Sequence, residues 1–119
     1  MDMFHLGQIA RVEFEDIAHD VMMVGRKLRI TIKDDGFVDV WHSGDVRNRY
    51  KYHWVKDEMK EEIYRHDNAP DARWKHLSTF PKHFHDGSEE RVGESSINDD
   101  PAQAVREFLL FVREKLSRV

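Results

Sequence analysis

Eight histidines occur in the 119 residues, and four of them, His66, His76, His83 and His85, fall within residues 64–86, YRHDNAPDARWKHLSTFPKHFHD. Arg65, Arg73, Lys75 and Lys82, the acids Asp67, Asp71 and Asp86, and two of the three prolines lie in the same stretch. An imidazole titrates near pH ~6.5, so it can both take and give a proton at neutral pH. Cleaving RNA needs a base for the 2′-hydroxyl, an acid for the leaving oxygen and cations for the charge that builds on phosphorus. His, Lys and Arg are the side chains that can supply these. The candidates for this chemistry are His53, Arg65, Asp67, His76, His83 and His85, with Asp67 orienting a histidine or the arginine. Arg49, Lys51, Lys75 and Lys82 are candidate phosphate-binding residues. Trp74 could stack on an unpaired base, a contact worth ~1–3 kcal/mol, and Tyr52, Trp54, Phe80 and Phe84 are of the same type.

Two other readings use the same residues. His83-x-His85, with Asp86 beside it and His76 upstream, offers imidazole and carboxylate ligands for zinc, manganese or iron. No HExxH frame fixes three ligands, so the expectation is no metal and no cofactor. In the other reading the histidines are solvated or structural, the aromatics are core, and Asp67-Asn68 forms a turn in which side chains bond backbone amides.

Charge distribution favours an anionic target. The chain carries 19 Lys and Arg against 23 Asp and Glu, a net charge of −4. Residues 1–46 hold five basic against nine acidic side chains, and residues 86–119 five against eight. Residues 47–85 hold nine against six, a local excess of three positive charges that could steer an anion. The chain contains no cysteine, which excludes disulfides, thiolate catalysis and thiolate metal sites. It has no run of the ~20 apolar residues that spans a bilayer, and its acidic start lacks a signal-peptide pattern. The expected setting is the reducing cytoplasm.

The elements that must position these groups are legible in the patterning. Leu6, Ile9, Ala10, Phe14, Ile17 and Ala18 recur at helical spacing, which predicts a helix over residues 5–18. Gly25 punctuates the chain, and Leu28, Ile30 and Ile32 alternate with charged residues as a half-buried strand. Asp34-Asp35-Gly36 signals a hairpin into a second strand over 37–43. A third strand over 47–55 puts Tyr50, Tyr52 and Trp54 on one face and Arg49, Lys51 and His53 on the other. Residues 56–60 read as a connection, 61–66 as a fourth strand and 92–97 as a short edge strand. If the third and fourth strands pair, His53 and Arg65 are neighbours. Residues 64–86 show neither helical nor strand periodicity over most of their length, and their aromatics argue for an ordered functional loop. Asp100 as N-cap, Pro101 at the first position and Gln103 at capping-box spacing open a C-terminal helix. Its apolar stripe is Val105, Phe108, Leu109, Val112 and Leu116. One α+β domain spans residues 1–119: an antiparallel sheet of four to five strands packed against an N-terminal and a C-terminal helix.

The segments YKYHW, YRHDNAP, WKHLSTFPKHFHDGSE and DDPAQAVREFLLFVR occur in this order through the second half of the chain. Together they resemble the TumE family of toxins from prokaryotic toxin–antitoxin modules. Many members carry His after the proline of the DNxP motif; this chain has Asp71 there, so no role is carried over to that position. The resemblance implies a small toxin encoded beside an antitoxin, often a helix-turn-helix protein, and an action such as ribonuclease activity that blocks translation. The matched positions are His53, Arg65, Asp67, Asn68, His76, His83 and His85. The combined expectation is a metal-independent RNA-cleaving toxin. In it His53 and either His83 or His85 exchange protons, and Arg65, Lys75 and Lys82 hold the phosphate. The alternative from another class is a non-catalytic partner-binding protein or homodimer, with Trp41, Trp54 and the C-terminal helix at its interface.

Overall fold

The computed structural model describes residues 2–33, 35–57 and 62–117. Helix α1 (Met3–Glu13) is followed by strands β1 (Ala18–Val24), β2 (Lys27–Ile32), β3 (Phe37–His42), β4 (Tyr50–Asp57), β5 (Glu62–Asp67), β6 (His83–Gly87) and β7 (Val92–Glu94). Helix α2 (Pro101–Ser117) ends the chain. The seven strands form one antiparallel meander in sequence order, so each pairs with the strand before and after it. The fold is α+β, with seven strands where the sequence predicts four to five. No helix of the described residues is long and apolar enough to cross a membrane.

Both unpredicted strands have a physical explanation. The β1 segment AHDVMMV buries only Val21, so it carries no alternating apolar signal. Its neighbours Ile17 and Ala18 mimic helical spacing because the chain turns after α1, with Ile17 and Ala18 N–H groups bonding the Phe14 carbonyl. The helix predicted over 5–18 therefore stops at Glu13. Strand β6, HFHDG, lies inside the stretch read as a loop; it buries histidines on one side and places Phe84 on the other. The predicted third strand begins at Tyr50, not residue 47, and the edge strand ends at Glu94. Asp34 of the hairpin signal and most of the predicted 56–60 connection lie outside the described residues.

Side chains alternate across a strand, so the meander has two distinct faces. One face carries Val21, Leu28, Ile30, Ile32, Val38, Val40, Tyr50, Tyr52, Trp54 and Tyr64, all buried beneath the two helices. Helix α2 contributes Ala104, Val105, Phe108, Leu109 and Val112 to that core. Its N-terminus is closed by Asp100, whose carboxylate accepts from Gln103 N–H at 3.2 Å. The helices are tied together by paired hydrogen bonds from Arg106 to Glu13 and from Arg113 to Asp16. Tyr52 and Trp54 are fully buried, which removes them as base-stacking platforms and removes Trp54 from any interface. The α2 stripe is consumed by the same core, so the oligomer interface expected from it is not available.

Residues 68–82 leave the end of β5, cross the other face and re-enter at β6. Asn68 anchors the departure: its Oδ1 accepts from Tyr50 N–H, and its Nδ2 donates to the Asn48 carbonyl. Thr79 anchors the return, accepting from Ser95 N–H and donating to the Lys82 carbonyl. Asp71 opens a 3-10 turn, Ala72–Trp74, by accepting from Arg73 N–H at 3.0 Å.

The β2–β3 turn fixes how β4 is approached. Gly36 has φ +72°, and a Cβ there would run into the Val55 carbonyl oxygen. Gly25, in the β1–β2 turn, has φ +60° and nothing near a Cβ position. Gly25→Ala is expected to cost ~1–2 kcal/mol, the left-handed penalty alone. Gly36→Ala should cost clearly more, because steric conflict with β4 is added. Urea unfolding of the two variants measures the difference, and equal losses would show that the Val55 contact imposes no constraint.

Candidate active site

The face of the sheet away from the helices is polar where it crosses β4, β5 and β6. His53 pairs across the ladder with Arg65, and Arg65 with His85. One pleat further along, Lys51 pairs with Asp67, and Asp67 with His83. Cross-strand partners share a face, so the register alone gathers Lys51, His53, Arg65, Asp67, His83 and His85 on one side.

Arg65 joins the group. Its Nε donates to Asp67 Oδ2 at 2.9 Å, and Nη2 donates to His85 Nε2 at 3.1 Å. Nη1 and Nη2 also grip the two oxygens of Glu89 at 2.9 and 3.1 Å. Burial works against its charge, and the hydrogen bonds from Glu89 and Asp67 outweigh that effect and raise its basicity. The same guanidinium holds the Glu89 carboxyl below its ordinary range.

Hydrogen-bond partners fix both histidines of β6. A guanidinium only donates, so His85 Nε2 accepts, and its Nδ1–H goes to the Glu89 carbonyl at 3.2 Å. Burial, then the Arg65 charge, push the His85 pKa down, in agreement with a neutral ring. His83 Nδ1–H donates to the Pro81 carbonyl at 2.8 Å, while Nε2 faces Asp67 Oδ1 at 3.3 Å. Both His83 nitrogens thus face acceptors, an arrangement completed by a proton on each nitrogen or by a cation between Nε2 and the carboxylate. Asp67 Oδ1 also accepts from Ala69 N–H at 2.9 Å, the turn geometry anticipated for Asp67-Asn68.

The Trp74 ring lies 6.4 Å from each of the His83 and His85 rings, so the 3-10 turn covers this corner. His83, His85 and Asp67 are consequently buried, at 3%, 2% and 3% exposure. His53 remains half-buried. Burial first, then the charges of Arg65 and Lys51, lower its pKa to about 4, so it is a neutral, base-competent imidazole at pH 7.

The remaining candidates are placed elsewhere. His66 projects into the helix-side core, where Ser95 Oγ contacts Nδ1 at 2.8 Å and Nε2 has no partner. His76 and Lys75 are exposed on the crossing loop, so neither joins the cluster. Asp86 is also exposed, on the helix side of β6 near Lys115. The metal set suggested by His76, His83, His85 and Asp86 is therefore not assembled. Asp67, His83 and His85 do bring ligand atoms within 4.8 Å of one another. Lys82 donates to the Ile97 carbonyl at 2.6 Å and pairs with Asp99, and Arg49 lines a different cleft. Lys51 is exposed at the edge of the cluster. Glu89 is the member that residue types did not flag: the adjacent acids Glu89 and Glu90 on a turn have no motif, and only the folded register brings Glu89 to Arg65.

Buried neutral histidines make stability acid-sensitive. The His66 pKa is lowered to about 3 by burial and then by Lys82, and that of His53 to about 4. Below the ordinary histidine range the unfolded chain binds protons that the folded chain refuses, so stability rises with pH in this window. Full stability is expected above pH ~6.5, falling as pH drops toward about 4, with the His66 contribution continuing toward about 3. Urea midpoints at pH 7.5, 6, 5 and 4 test this, and a flat profile above pH 5 would contradict it. His66→Phe should flatten the slope, whatever it does to the midpoint at pH 7.5.

Comparison with curated proteins and with solved structures returned no match. The family model described as toxin TumE matches residues 7–116. That span covers β1–β7, every residue of the polar cluster, most of α1 and nearly all of α2, and the chain belongs to the toxin TumE family.

Proposed function

We propose that this chain is the toxin half of a toxin–antitoxin pair and that it cleaves RNA without a metal ion, using the cluster on β4–β6. The observation that supports this most strongly is Arg65. Its guanidinium sits between Asp67 and His85 and grips a carboxylate on its outer side. Glu89 is an anion held in bidentate fashion, and a phosphodiester presents the same fork of two oxygens. The phosphate replaces Glu89 on Arg65, with Lys51 beside it.

Neutral His53 removes the proton from the 2′-hydroxyl. The 2′-oxygen bonds to phosphorus, the bond to the 5′-oxygen breaks, and His83 gives its Nε2 proton to that leaving oxygen. The products are a 2′,3′-cyclic phosphate and a free 5′-hydroxyl. Asp67 orients His83, and His85 holds Arg65 in place. Trp74 covers His83, so access to the acid requires the crossing loop to lift. The cognate antitoxin, expected to be a helix-turn-helix protein, blocks the basic part of this face with an acidic surface.

A second reading rests on the approach of Asp67, His83 and His85 to within 4.8 Å. Both rings donate Nδ1–H to backbone carbonyls, the outer contact that metal-bound histidines ordinarily have. Against it, His85 Nε2 already accepts from Arg65, so a metal must displace a permanent cation.

Purified protein is expected to cleave cellular RNA at an unchanged rate in EDTA. His53→Ala and His83→Ala should each lower the rate by ~10²-fold or more. Arg65→Lys, which keeps the charge but loses the fork, should also be slow. A substrate with a 2′-deoxy nucleotide at the cleavage position should remain intact. RNA left whole by the wild type, or cut equally by the variants, sinks the assignment. EDTA inactivation reversed by one divalent metal, with that metal found in tag-free protein, establishes the second reading instead.

A further inference from the structure

A cleft of about 860 Å³ opens at the end of the sheet where β4 begins and β5 ends. The turn carrying Arg47 and Arg49 forms one wall, and residues 79–82 of the crossing loop form the other. Among the described residues, neither guanidinium has a hydrogen-bond or ion-pair partner. Lys82 lies on the same wall and pairs with Asp99 at 3.4 Å, and Asp99 in turn accepts from the Tyr50 hydroxyl. Three cations against one carboxylate leave an excess of two positive charges in the cleft, although the whole chain carries −4. Half-buried Phe80 adds a flat apolar surface. Asn68 bonds to both Tyr50 N–H and the Asn48 carbonyl, which fixes the arginine-bearing turn to the end of β5.

We propose that this cleft binds a nucleotide of single-stranded RNA, with phosphate oxygens on Arg47 and Arg49 and a base against Phe80. The inference rests on the RNA-cleaving reading and adds a substrate subsite outside the histidine cluster. Ligand clefts generally run from about 300 to 1,000 Å³, so the size suits a nucleotide. Free guanidinium groups beside an aromatic face are the usual means of holding a single strand. Its position also connects it to the cluster. Asn68 follows Asp67 and Lys82 precedes His83, so cleft and cluster lie one residue apart along both strands, on opposite sides of the sheet end. An acidic protein surface would match the charge but would leave a concave cleft unfilled.

The test uses the full chain and a fluorescently labelled 2′-O-methyl RNA oligonucleotide, which binds without being cut. The wild type is expected to bind in a salt-dependent manner. The Arg47→Glu/Arg49→Glu variant should lose at least tenfold in affinity, and its salt slope should fall by about 1.4. Phe80→Ala should weaken binding roughly fivefold or more. Thermal melting should be unchanged in the charge-reversed protein. With cleavable RNA, that variant should raise KM and leave kcat within about twofold. Unchanged affinity and unchanged KM overturn this inference alone. A wild type that neither binds nor cleaves RNA overturns the RNA reading and this inference together. Unchanged RNA affinity with loss of antitoxin binding makes the cleft a protein interface and also overturns the inference.

Discussion

The Arg65 guanidinium is the contact on which the polar face depends. A charge with this little access to water is tolerated only when its hydrogen-bonding capacity is nearly filled. Arg65 achieves this with two carboxylates and an imidazole drawn from β5, β6 and the turn after β6. Truncating such a group would leave Asp67 buried without its main partner, a loss of several kcal/mol by the ordinary cost of uncompensated charge. With Lys51 on the same face, two cations, Lys51 and Arg65, stand against two carboxylates, Asp67 and Glu89. His83 has an acceptor facing each nitrogen, the Pro81 carbonyl and the Asp67 carboxylate.

Strand alternation allows this cluster to exist beside an apolar core. Tyr52 and Trp54 point at the helices, and His53 between them points away. The same holds for Arg65 between Tyr64 and His66, and for Phe84 between His83 and His85. Burial on the far face comes from the crossing loop and Trp74, not from a helix. The loop is held at its ends, at Asn68 and Thr79, and by the Ser78 hydroxyl on Glu94 and the Lys82 ammonium on the Ile97 carbonyl.

Much of the fold was legible in the sequence because it follows from apolar periodicity. The β2–β3 hairpin, the facing of β4, the pairing of His53 with Arg65 and the Asp100 cap of α2 all follow from residue spacing. Strand β6 was hidden because its buried positions are histidines, and a periodicity that counts apolar residues reads His-Phe-His as polar. Strand β1 was hidden for the opposite reason: it is an edge strand whose exposed positions include Met22 and Met23. Histidine content singled out the right stretch, but it could not separate His83 and His85 from His76 on the exposed loop or His66 in the core. That separation depends on register, since a shift of one residue along β5 or β6 would exchange the two faces.

Register also explains why the cluster and the cationic cleft occur together. Both depend on where β5 ends and β6 begins. Asp67 and His83 are the last and first residues of their strands, and they face the cluster. Their neighbours Asn68 and Lys82, across the pleat, face the cleft. The loop between them, residues 68–82, lines the cleft with both ends and covers the histidines with its middle. The wall of the cleft and the cover over His83 are therefore parts of one short loop, whose two ends are set by the register of β5 and β6.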